Sequence, residues 1–343
     1  MKKSFKIFGV FIVVALVLQT CILLVLNYKV FAGFKPSDTV IAENNKQSQK
    51  SVDKTKEEKK ISIESDAKEL KISYDNNYIS YINKDNKLAY IDIQNNKNKV
   101  IDDIIPVMYR WSEDNLVIVG KNETKRNAYD FYEYNTKTQE LNKLQTLSLT
   151  DRKGTIEDIK CSPFKTLIFV HVKNYGEDQI YKLNVKNEFD KVDLKINTID
   201  NIAMIPHEDK IIYNSGKSNN FYITYVDKKV VLQEEGKKVL LGVDNGDKIY
   251  IGIEQDNKIK TIYSGRMTES IANWKKNDLT EPIDEGSLYI NGNSIYKVDN
   301  QKLKVTDLTS NKEESFEGKF ISIDSNTLIY NLDNQIKIKK LAK

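Results

Sequence analysis

The stretch Tyr74–Ile93, YDNNYISYINKDNKLAYIDI, decides the fold of this 343-residue chain. Two of its segments, Tyr78–Ile82 and Leu88–Ile93, are rich in the aromatic and β-branched residues that suit a pleated surface. Between them lie Asp85 and Asn86, residue types that tolerate the positive φ angles of tight hairpin turns. The stretch is therefore predicted to form a polar turn, a strand, a tight turn and a second strand.

The same pattern returns along the chain at nearly regular intervals. Two clear copies are Ile290–Leu308 (INGNSIYKVDNQKLKVTDL) and Ile323–Leu341 (IDSNTLIYNLDNQIKIKKL). A period near 40 residues with about four strands per repeat is typical of β-propeller blades. A lone four-stranded sheet exposes two apolar faces, whereas sheets stacked around an axis bury both. Including weaker copies, the repeats begin at Tyr74, Trp111, Cys161, Ile205, Val243, Ile290 and Ile323, about 41 residues apart on average.

We therefore predict an all-β fold in which residues 61–343 form a seven-bladed β-propeller. Six or eight blades remain alternatives, because the segment from Gly265 to Gly286 is irregular and could hide extra strands. The last repeat holds only three strand-like segments before the chain ends. Ile61–Glu64 (ISIE) alternates apolar and polar residues, so we predict that it supplies the missing outer strand and closes the ring.

The repeats carry a family resemblance. The chain resembles the WD40-like and TolB-like β-propeller repeats, also found in the propeller domains of dipeptidyl-peptidase-IV-type proteins. Blades of that family carry a turn resembling W-S-P-D-G before the second strand, and the nearest matches are Trp111–Asn115 (WSEDN) and Cys161–Pro163 (CSP). The resemblance implies a propeller over residues 61–343 and no particular activity, because such folds serve many functions. We expect no hydrolase domain of the peptidase kind in this sequence, since no G-x-S-x-G motif occurs.

The N-terminal residues have a different composition. Residues 7–27 are mostly apolar and follow the basic start MKKSFK, and a helix of about 20 such residues spans the roughly 30 Å of a bilayer. We predict a cytoplasmic tail (1–6), a transmembrane signal-anchor helix (7–27), a flexible charged linker (28–60) and an extracytoplasmic propeller. The protein would then be a single-pass protein of the cell membrane. The alternative is cleavage near Ala32, which would release a secreted protein.

Charge and composition narrow the range of partners. The net charge of +4 is carried by the four lysines of residues 1–34, and the rest of the chain is neutral overall. No general positive field therefore points to a nucleic acid partner. The abundance of Asn, Lys and Ile fits a bacterial, low-GC source.

Residue types that carry chemistry are few. Cys21 lies in the apolar segment and Cys161 in a strand, so no disulfide is expected in the propeller, and Cys161 is interpreted as a small core residue. His171 and His207 lack a second ligand at metal-binding spacing, so His171 is interpreted as a hydrogen-bonded strand residue and His207 as a solvated turn residue. We therefore predict no catalytic residue, no metal and no cofactor.

Three other segments have a structural interpretation that outweighs the functional one. Ser215–Ser218 (SGKS) lacks the first glycine of a phosphate-binding loop. Asp244–Asp247 (DNGD) is interpreted as a hairpin turn, because the full ligand set of a calcium loop is missing. Alternation along Tyr129–Tyr134 (YDFYEY) places Tyr129 and Phe131 on one side of a blade and Tyr132 and Tyr134 on the other, as core side chains.

The loops between second and third strands suggest a recognition surface. In blades two to four they are predicted to be longer than the Asp-Asn turns of the other blades: Gly120–Asn127 (GKNETKRN), Asn174–Asp178 (NYGED) and Ser215–Asn220 (SGKSNN). Binding residues favour loops on a rigid scaffold, although drift of unconstrained loops would give the same pattern. The candidate contacts are Lys121, Lys125, Arg126, Tyr175 and Lys217.

The leading interpretation is a non-catalytic binding or scaffold module for a protein, a peptide or a cell-envelope component. The alternative is a hydrolase or lyase with acidic residues on the axial face of the propeller. A third possibility is a spacer or sensor subunit of a membrane complex. Paired acidic side chains at one end of the channel would favour the enzyme, and an uncharged or plugged channel beside an exposed surface on blades two to four would favour the binding module.

Overall fold

The computed structural model describes residues 59–64, 66–162, 167–216, 218–227, 229–291, 294–324, 327–333 and 335–341, together with Gln19. The chain divides into two units, Met1–Thr55 and Lys56–Lys343. Apart from Gln19, the predicted membrane helix (7–27) lies outside the described residues, as does most of the predicted linker (28–60). Among the residues that are described, no helix combines the length and apolar character that crossing a membrane requires.

The second unit consists of seven four-stranded antiparallel sheets, which confirms the predicted all-β propeller with seven blades. Six blades use consecutive strands: β2–β5, β6–β9, β10–β13, β14–β17, β18–β21 and β22–β25; the seventh joins β26–β28 with β1. The strands are β1 (Lys59–Ser62), β2 (Lys68–Ile72), β3 (Tyr78–Ile82), β4 (Leu88–Asp92), β5 (Lys97–Ile101), β6 (Pro106–Ser112), β7 (Asn115–Lys121), β8 (Ala128–Asn135), β9 (Leu141–Ser148), β10 (Thr155–Cys161), β11 (Ile168–Asn174), β12 (Glu177–Leu183), β13 (Phe189–Val192), β14 (Asn201–Ile205), β15 (Lys210–Asn214), β16 (Asn220–Ile223), β17 (Val230–Val231), β18 (Lys237–Val243), β19 (Lys248–Gln255), β20 (Lys258–Arg266), β21 (Lys275–Ile283), β22 (Leu288–Asn291), β23 (Ser294–Asp299), β24 (Lys304–Asp307), β25 (Lys312–Ser315), β26 (Lys319–Asp324), β27 (Thr327–Leu332) and β28 (Gln335–Lys340).

The first strand of each blade lies innermost. These strands contact one another in sequence from β2 through β6, β10, β14, β18 and β22 to β26, so their outward-facing partners fan away from a common axis. Because neighbouring strands of a blade are antiparallel, first-to-second and third-to-fourth links lie at one end of the propeller. We call this end the turn face. The second-to-third links and the connections between blades lie at the other end, which we call the loop face.

The N-terminal strand closes the ring as predicted. β1 pairs antiparallel with β28, with Ile61 opposite Ile336, and its observed bounds start two residues before the predicted ISIE segment. The Ile61 side chain is buried in an apolar cluster with Ile79 and Tyr81 of the first blade and Ile329 of the seventh. The last blade thus gains its fourth strand from the start of the domain, and its apolar face is covered by the first blade.

Strand β8 shows how both faces of a blade are buried. Tyr129 and Phe131 belong to an apolar cluster shared with the third blade. Tyr134, with Tyr132 packed beside it, belongs to the cluster shared with the first blade. The predicted division of YDFYEY between two core faces is confirmed.

The irregular segment from Gly265 to Gly286 contains the outer strand of blade five. After a 3-10 turn at Ile271–Asn273, β21 pairs with β20 through a bulge. Trp274 is only 6% exposed and packs over Gly265, where an added Cβ would lie 2.2 Å from the indole ring. The segment therefore belongs to an existing blade, and the blade number is seven.

Candidate functional site

The loop face carries the residues that the sequence predicted as contacts, but loop length does not distinguish them. Strands β11 and β12 are joined by Tyr175 and Gly176 alone, so the predicted long loop of blade three is a two-residue hairpin turn. The first blade's link, residues 83–87, matches the length of the fourth blade's, residues 215–219. The predicted contrast between blades two to four and the others is therefore wrong. Polar side chains capping the strand ends made short turns look like long loops.

The loop of blade two, residues 122–127, is held in one conformation by Asn122. Its Nδ2 donates to both carboxylate oxygens of Asp130 at 3.0 Å, and its Oδ1 accepts the backbone N–H groups of Thr124 and Lys125. Burial raises the pKa of Asp130, but hydrogen bonds from Lys143, from a threonine and from Asn122 outweigh it and keep the carboxyl ionised. The predicted contacts Lys121, Lys125 and Arg126 are exposed around this fixed loop.

Tyr175 stands at the tip of the blade-three hairpin with its side chain 70% exposed. Its φ is +55° and that of Gly176 is +78°, the combination that a type I′ turn demands. A bulky residue at positive φ is uncommon and costs roughly 1–2 kcal/mol. The phenol hydroxyl donates to the Thr150 carbonyl at 3.1 Å, and the Tyr175 N–H donates to Asp151 Oδ2 at 3.0 Å. The exposed ring is therefore held in position.

The connection between blades two and three, residues 149–154, joins these two features. The Leu149 N–H donates to the Asn127 carbonyl at 2.8 Å, and the Asp151 N–H donates to Asn174 Oδ1 at 2.9 Å. Arg152 and Lys153 on this connection are exposed. Four of the five predicted residues thus lie on one continuous part of the loop face, and Lys217 lies outside the described residues. We call this set the blade 2–3 surface: Lys121, Lys125, Arg126, Arg152, Lys153 and Tyr175.

Arg152 and Lys153 were not among the residues predicted from the sequence. The sequence does indicate an exposed connection at Thr150–Gly154 (TDRKG), because this polar segment lies between two strand-like runs. The prediction considered only links within blades, whereas connections between blades reach the same face.

A cavity of about 440 Å³ lies where the inner strands of blades two to five end at the turn face. Its walls are mixed: the fourth and fifth blades contribute mostly apolar side chains, and the third blade contributes Lys160. The residues that line it include Trp111, Lys160, Met204, Leu241 and Val243.

The inner strands of the first three blades carry an ion network beside this cavity. Asp158 Oδ1 lies 2.7 Å from Arg110 Nη2, and Asp158 Oδ2 lies 2.8 Å from Lys160 Nζ. Burial alone would raise the pKa of Asp158. The charges of Lys160 and Arg110 outweigh burial, so the pKa falls below its usual value and the carboxylate stays ionised. Lys71 Nζ donates to the Tyr109 carbonyl at 2.9 Å, and burial together with the charge of Arg110 lowers the pKa of this ammonium to about 8. The inner strands of these three blades are therefore charged, with Lys71, Arg110 and Lys160 beside Asp158 and Glu69.

Two carboxyl groups meet where the turns of the first and second blades adjoin on the turn face. A hydrogen bond donated to the Asp75 carboxylate raises the pKa of the Asp114 carboxyl and lowers that of Asp75, so the pair retains one proton to a higher pH than isolated carboxyls do. Ser73 Oγ donates to Asp75 Oδ1 at 2.6 Å, and Lys137 Nζ lies 2.5 Å from Asp114 Oδ2. Such a pair could exchange a proton with a bound molecule, because Asp75 is exposed and its neighbour Tyr74 lines the cavity.

His171 and Cys161, whose residue types can bind metals or act as nucleophiles, have structural roles in blade three. His171 Nε2 lies 2.8 Å from Asp178 Oδ1 in the interior of blade three, and Asp178 Oδ2 accepts the Ile199 N–H at 2.8 Å. The interpretation of His171 as a hydrogen-bonded strand residue is confirmed. Burial raises the pKa of the Cys161 thiol to about 12, so it stays protonated and a poor nucleophile. Across the described ranges, His, Cys, Asp and Glu side chains form no group of three suited to holding a metal ion.

Asp244 and His207 are turn residues with partners inside the protein. Asp244 Oδ1 accepts the N–H groups of Gly246 and Lys248, and its Oδ2 accepts the Tyr250 hydroxyl at 2.9 Å. Its oxygens are therefore engaged by the protein, and the DNGD segment is a hairpin turn as predicted. His207, expected to be solvated, is half-exposed, with its Nδ1 3.2 Å from Asp247 Oδ1.

Comparisons with known proteins agree with the fold. No family model matches the chain, and no curated protein matches it by sequence. Among solved structures it is similar to the acylaminoacyl peptidase of Pyrococcus horikoshii, with 12% identity and a TM-score of 0.52 over 77% of this chain. The match covers 48% of the peptidase chain, so this protein matches about half of it. A second similar structure is a chain of the mitotic checkpoint complex, with 9% identity and a TM-score of 0.49, covering 89% of this chain and 100% of that one.

The similarity to the peptidase, together with the seven blades, confirms the resemblance to the propellers of dipeptidyl-peptidase-IV-type proteins at the level of fold. At 12% identity the likeness extends to architecture alone.

Proposed function

We propose that the protein is a membrane-anchored, extracytoplasmic propeller that binds a protein or peptide partner through the blade 2–3 surface and catalyses no reaction. The fold is consistent with a binding or scaffold module, because blades packed around an axis hold their loops rigidly. The apolar run at residues 7–27 supports the anchor, and its basic flank supports the orientation.

Tyr175 is the observation that carries the proposal. An aromatic ring that is exposed, hydrogen-bonded in place and carried by a strained turn position serves no packing purpose in the isolated propeller. Strained backbone and rigid exposed aromatics both concentrate at binding sites. The exposed cations Lys125, Arg126, Arg152 and Lys153 lie on the same surface, so a partner with an acidic segment would meet complementary charge.

The test uses the variant Tyr175→Asn in the full-length chain. Asn accepts positive φ and would form an Asn-Gly turn with Gly176, so the fold is kept while the ring is removed. Partners are captured by chemical crosslinking in intact cells, and a reproducible partner of the wild type should be reduced at least about tenfold, equivalent to about 1.4 kcal/mol. Val185→Asn is the matched control, because Val185 is equally exposed in the same blade but lies at the turn face.

Capture that survives Tyr175→Asn unchanged, or falls equally in Val185→Asn, would contradict the assignment of this surface. The anchor is tested separately, because it does not depend on the surface. Carbonate extraction of membranes should leave the full chain in the pellet, and protease added outside intact cells should degrade the propeller. A chain released by carbonate, or one recovered from the medium without residues 1–32, would overturn the anchor.

The hydrolase or lyase alternative is supported by one feature, the adjoining carboxyl groups of Asp75 and Asp114 on the turn face, next to Tyr74, which lines the cavity. Purified full-length protein should be assayed against ester, glycoside and uronate substrates. Turnover that disappears in both Asp75→Asn and Asp114→Asn would establish the enzyme and overturn the non-catalytic proposal.

A further inference from the structure

The basic groups of the inner strands converge on shared acceptors. Lys71 Nζ and Arg110 Nη1 both donate to the Tyr109 carbonyl oxygen, at 2.9 and 3.0 Å. Arg110 and Lys160 both bind the Asp158 carboxylate. Three cations from three successive blades are therefore held within a few ångströms of one another.

The acidic groups around them do not balance this charge. Asp158 neutralises one cation, and Glu69, 3.4 Å from Lys71 Nζ, is 57% exposed and so is well screened by water. Counting both carboxylates, the cluster keeps one positive charge in excess. The side chains of Lys71, Arg110 and Lys160 are 24%, 32% and 30% exposed, so their charge is only partly solvated, and the excess favours an accompanying anion.

Part of the cavity wall is apolar. Lys160 lines the cavity together with the half-buried side chains of Met204, Leu241 and Val243 and with Trp111. A volume of about 440 Å³ is far larger than a carboxylate group needs and falls within the range of small-ligand sites. A ligand that uses the whole site would carry one negative charge at one end and a short apolar chain at the other.

We propose that this axial cavity binds a small aliphatic monocarboxylate, with its carboxylate at Lys160, the member of the cation cluster that lines the cavity, and its chain against Met204, Leu241 and Val243. A single excess charge favours a monoanion over a phosphate dianion. The site is separate from the blade 2–3 surface, so it is independent of the partner proposed there.

Tryptophan fluorescence gives a direct test, because the chain has two tryptophans and Trp111 lines the cavity while Trp274 is buried in blade five. The full-length protein in a non-ionic detergent is titrated with hexanoate, and we expect a saturable change that is absent in Trp111→Phe. Hexanamide, which lacks the charge, and hexylamine, which reverses it, should give none. Acetate should bind at least about tenfold more weakly because it leaves the apolar wall uncovered.

Substitutions then assign the site. Lys160→Gln should raise the apparent Kd for hexanoate about tenfold or more, and Lys160→Arg should keep it within about threefold. Lys143→Gln is the control, because Lys143 pairs with Asp130 at 2.8 Å in an outer strand, away from the axis. Equal binding of hexanamide, no saturation by hexanoate, or an unchanged Kd in Lys160→Gln would each overturn the proposal. Thermal unfolding of each variant establishes that a loss of binding is not a loss of fold.

Discussion

Lys71 is a cation placed where the protein disfavours its charge. Burial and the nearby Arg110 lower its pKa from 10.5 to about 8. Below pH 8 this lysine is protonated in the folded and unfolded chains alike, so the full penalty of burying the charge is present. Between pH 8 and about 10.5 the unfolded chain binds more protons than the folded one, so this residue's contribution to stability improves as pH rises.

The change Lys71→Met should therefore stabilise the propeller at pH 7, because the Tyr109 carbonyl keeps its hydrogen bond from Arg110. We expect a melting temperature higher by about 2–4 °C, equivalent to about 1 kcal/mol in a domain of this size. The advantage over the wild type should shrink as pH rises from 7 to 10. Thermal unfolding of both proteins across that range checks it, and a difference that stays constant with pH would mean that the buried charge of Lys71 is not the cause.

Gly265 is required by packing. Because an added Cβ would lie 2.2 Å from the Trp274 indole, Gly265→Ala must displace that ring or the strand. The free energy of unfolding should fall by about 1–3 kcal/mol, measured by urea unfolding. Gly286→Ala is the matched control, since no atom lies within 4 Å of its added Cβ, and it should stay within about 0.5 kcal/mol of the wild type.

The sequence predicted individual residues well where local alternation decides their environment. Tyr129 and Phe131 were correctly separated from Tyr132 and Tyr134, because successive strand residues point to opposite faces. The cluster of Lys71, Arg110 and Lys160 was not predicted. Its members lie some 40–50 residues apart in the chain. Only the register of three separate inner strands brings them together.

At the scale of elements, strand ends were the weakest part of the prediction. Asn174 pairs with Glu177 across β11 and β12, so the polar stretch NYGED is mostly strand, and two residues make the turn. Polarity at a strand end therefore does not locate a loop, since Asn174 and Asp178 are buried there and accept hydrogen bonds from backbone N–H groups of the protein. By contrast, the Asp256-Asn257 pair forms the predicted tight turn, as both residues have the positive φ that a two-residue turn requires.

The hairpin of Tyr175 allows a stability prediction that is separate from binding. Tyr175→Asn loses the hydroxyl bond to Thr150, worth about 0.5–1.5 kcal/mol at most and less for an exposed group. It also relieves the strain of a bulky residue at a φ of +55°, about 1–2 kcal/mol. We therefore expect a free energy of unfolding equal to or above that of the wild type, measured by urea unfolding. A loss of more than about 1 kcal/mol would mean that Tyr175 serves the fold, and would remove the argument for a binding role.

At the scale of the whole molecule, the blade number and the closure followed from the sequence because both obey one physical requirement. Every sheet must have both of its apolar faces covered by neighbouring blades. The ring must also close, so that the first and last blades pack against each other. The position of the proposed binding surface does not obey such a requirement. Loops on a propeller are free to vary without affecting the core, so the blade 2–3 surface had to be assembled from contacts such as that between Leu149 and Asn127.

Closure by β1 makes the N-terminal strand a test of the entire ring. The Ile61 side chain is 1% exposed between the seventh and first blades, whereas Ser62 beside it is exposed. Ile61→Asp would place a carboxylate in that apolar cluster, and Ser62→Asp would add the same charge in water. We expect Ile61→Asp to lower the free energy of unfolding by about 3 kcal/mol or more, and Ser62→Asp to change it by less than about 0.5 kcal/mol.

The strands that lose amide protection in Ile61→Asp distinguish a failure of ring closure from a general loss of core packing. If β1 holds the first and seventh blades together, Ile61→Asp should speed amide hydrogen exchange first in β28, the strand that pairs with β1. Faster exchange should then follow in the first blade, which packs against it. Blade four, on the far side of the ring, should lose protection only when the whole propeller unfolds. Uniformly faster exchange in all seven blades, or no change in β28, would mean that the seam between the last and first blades holds without its N-terminal strand.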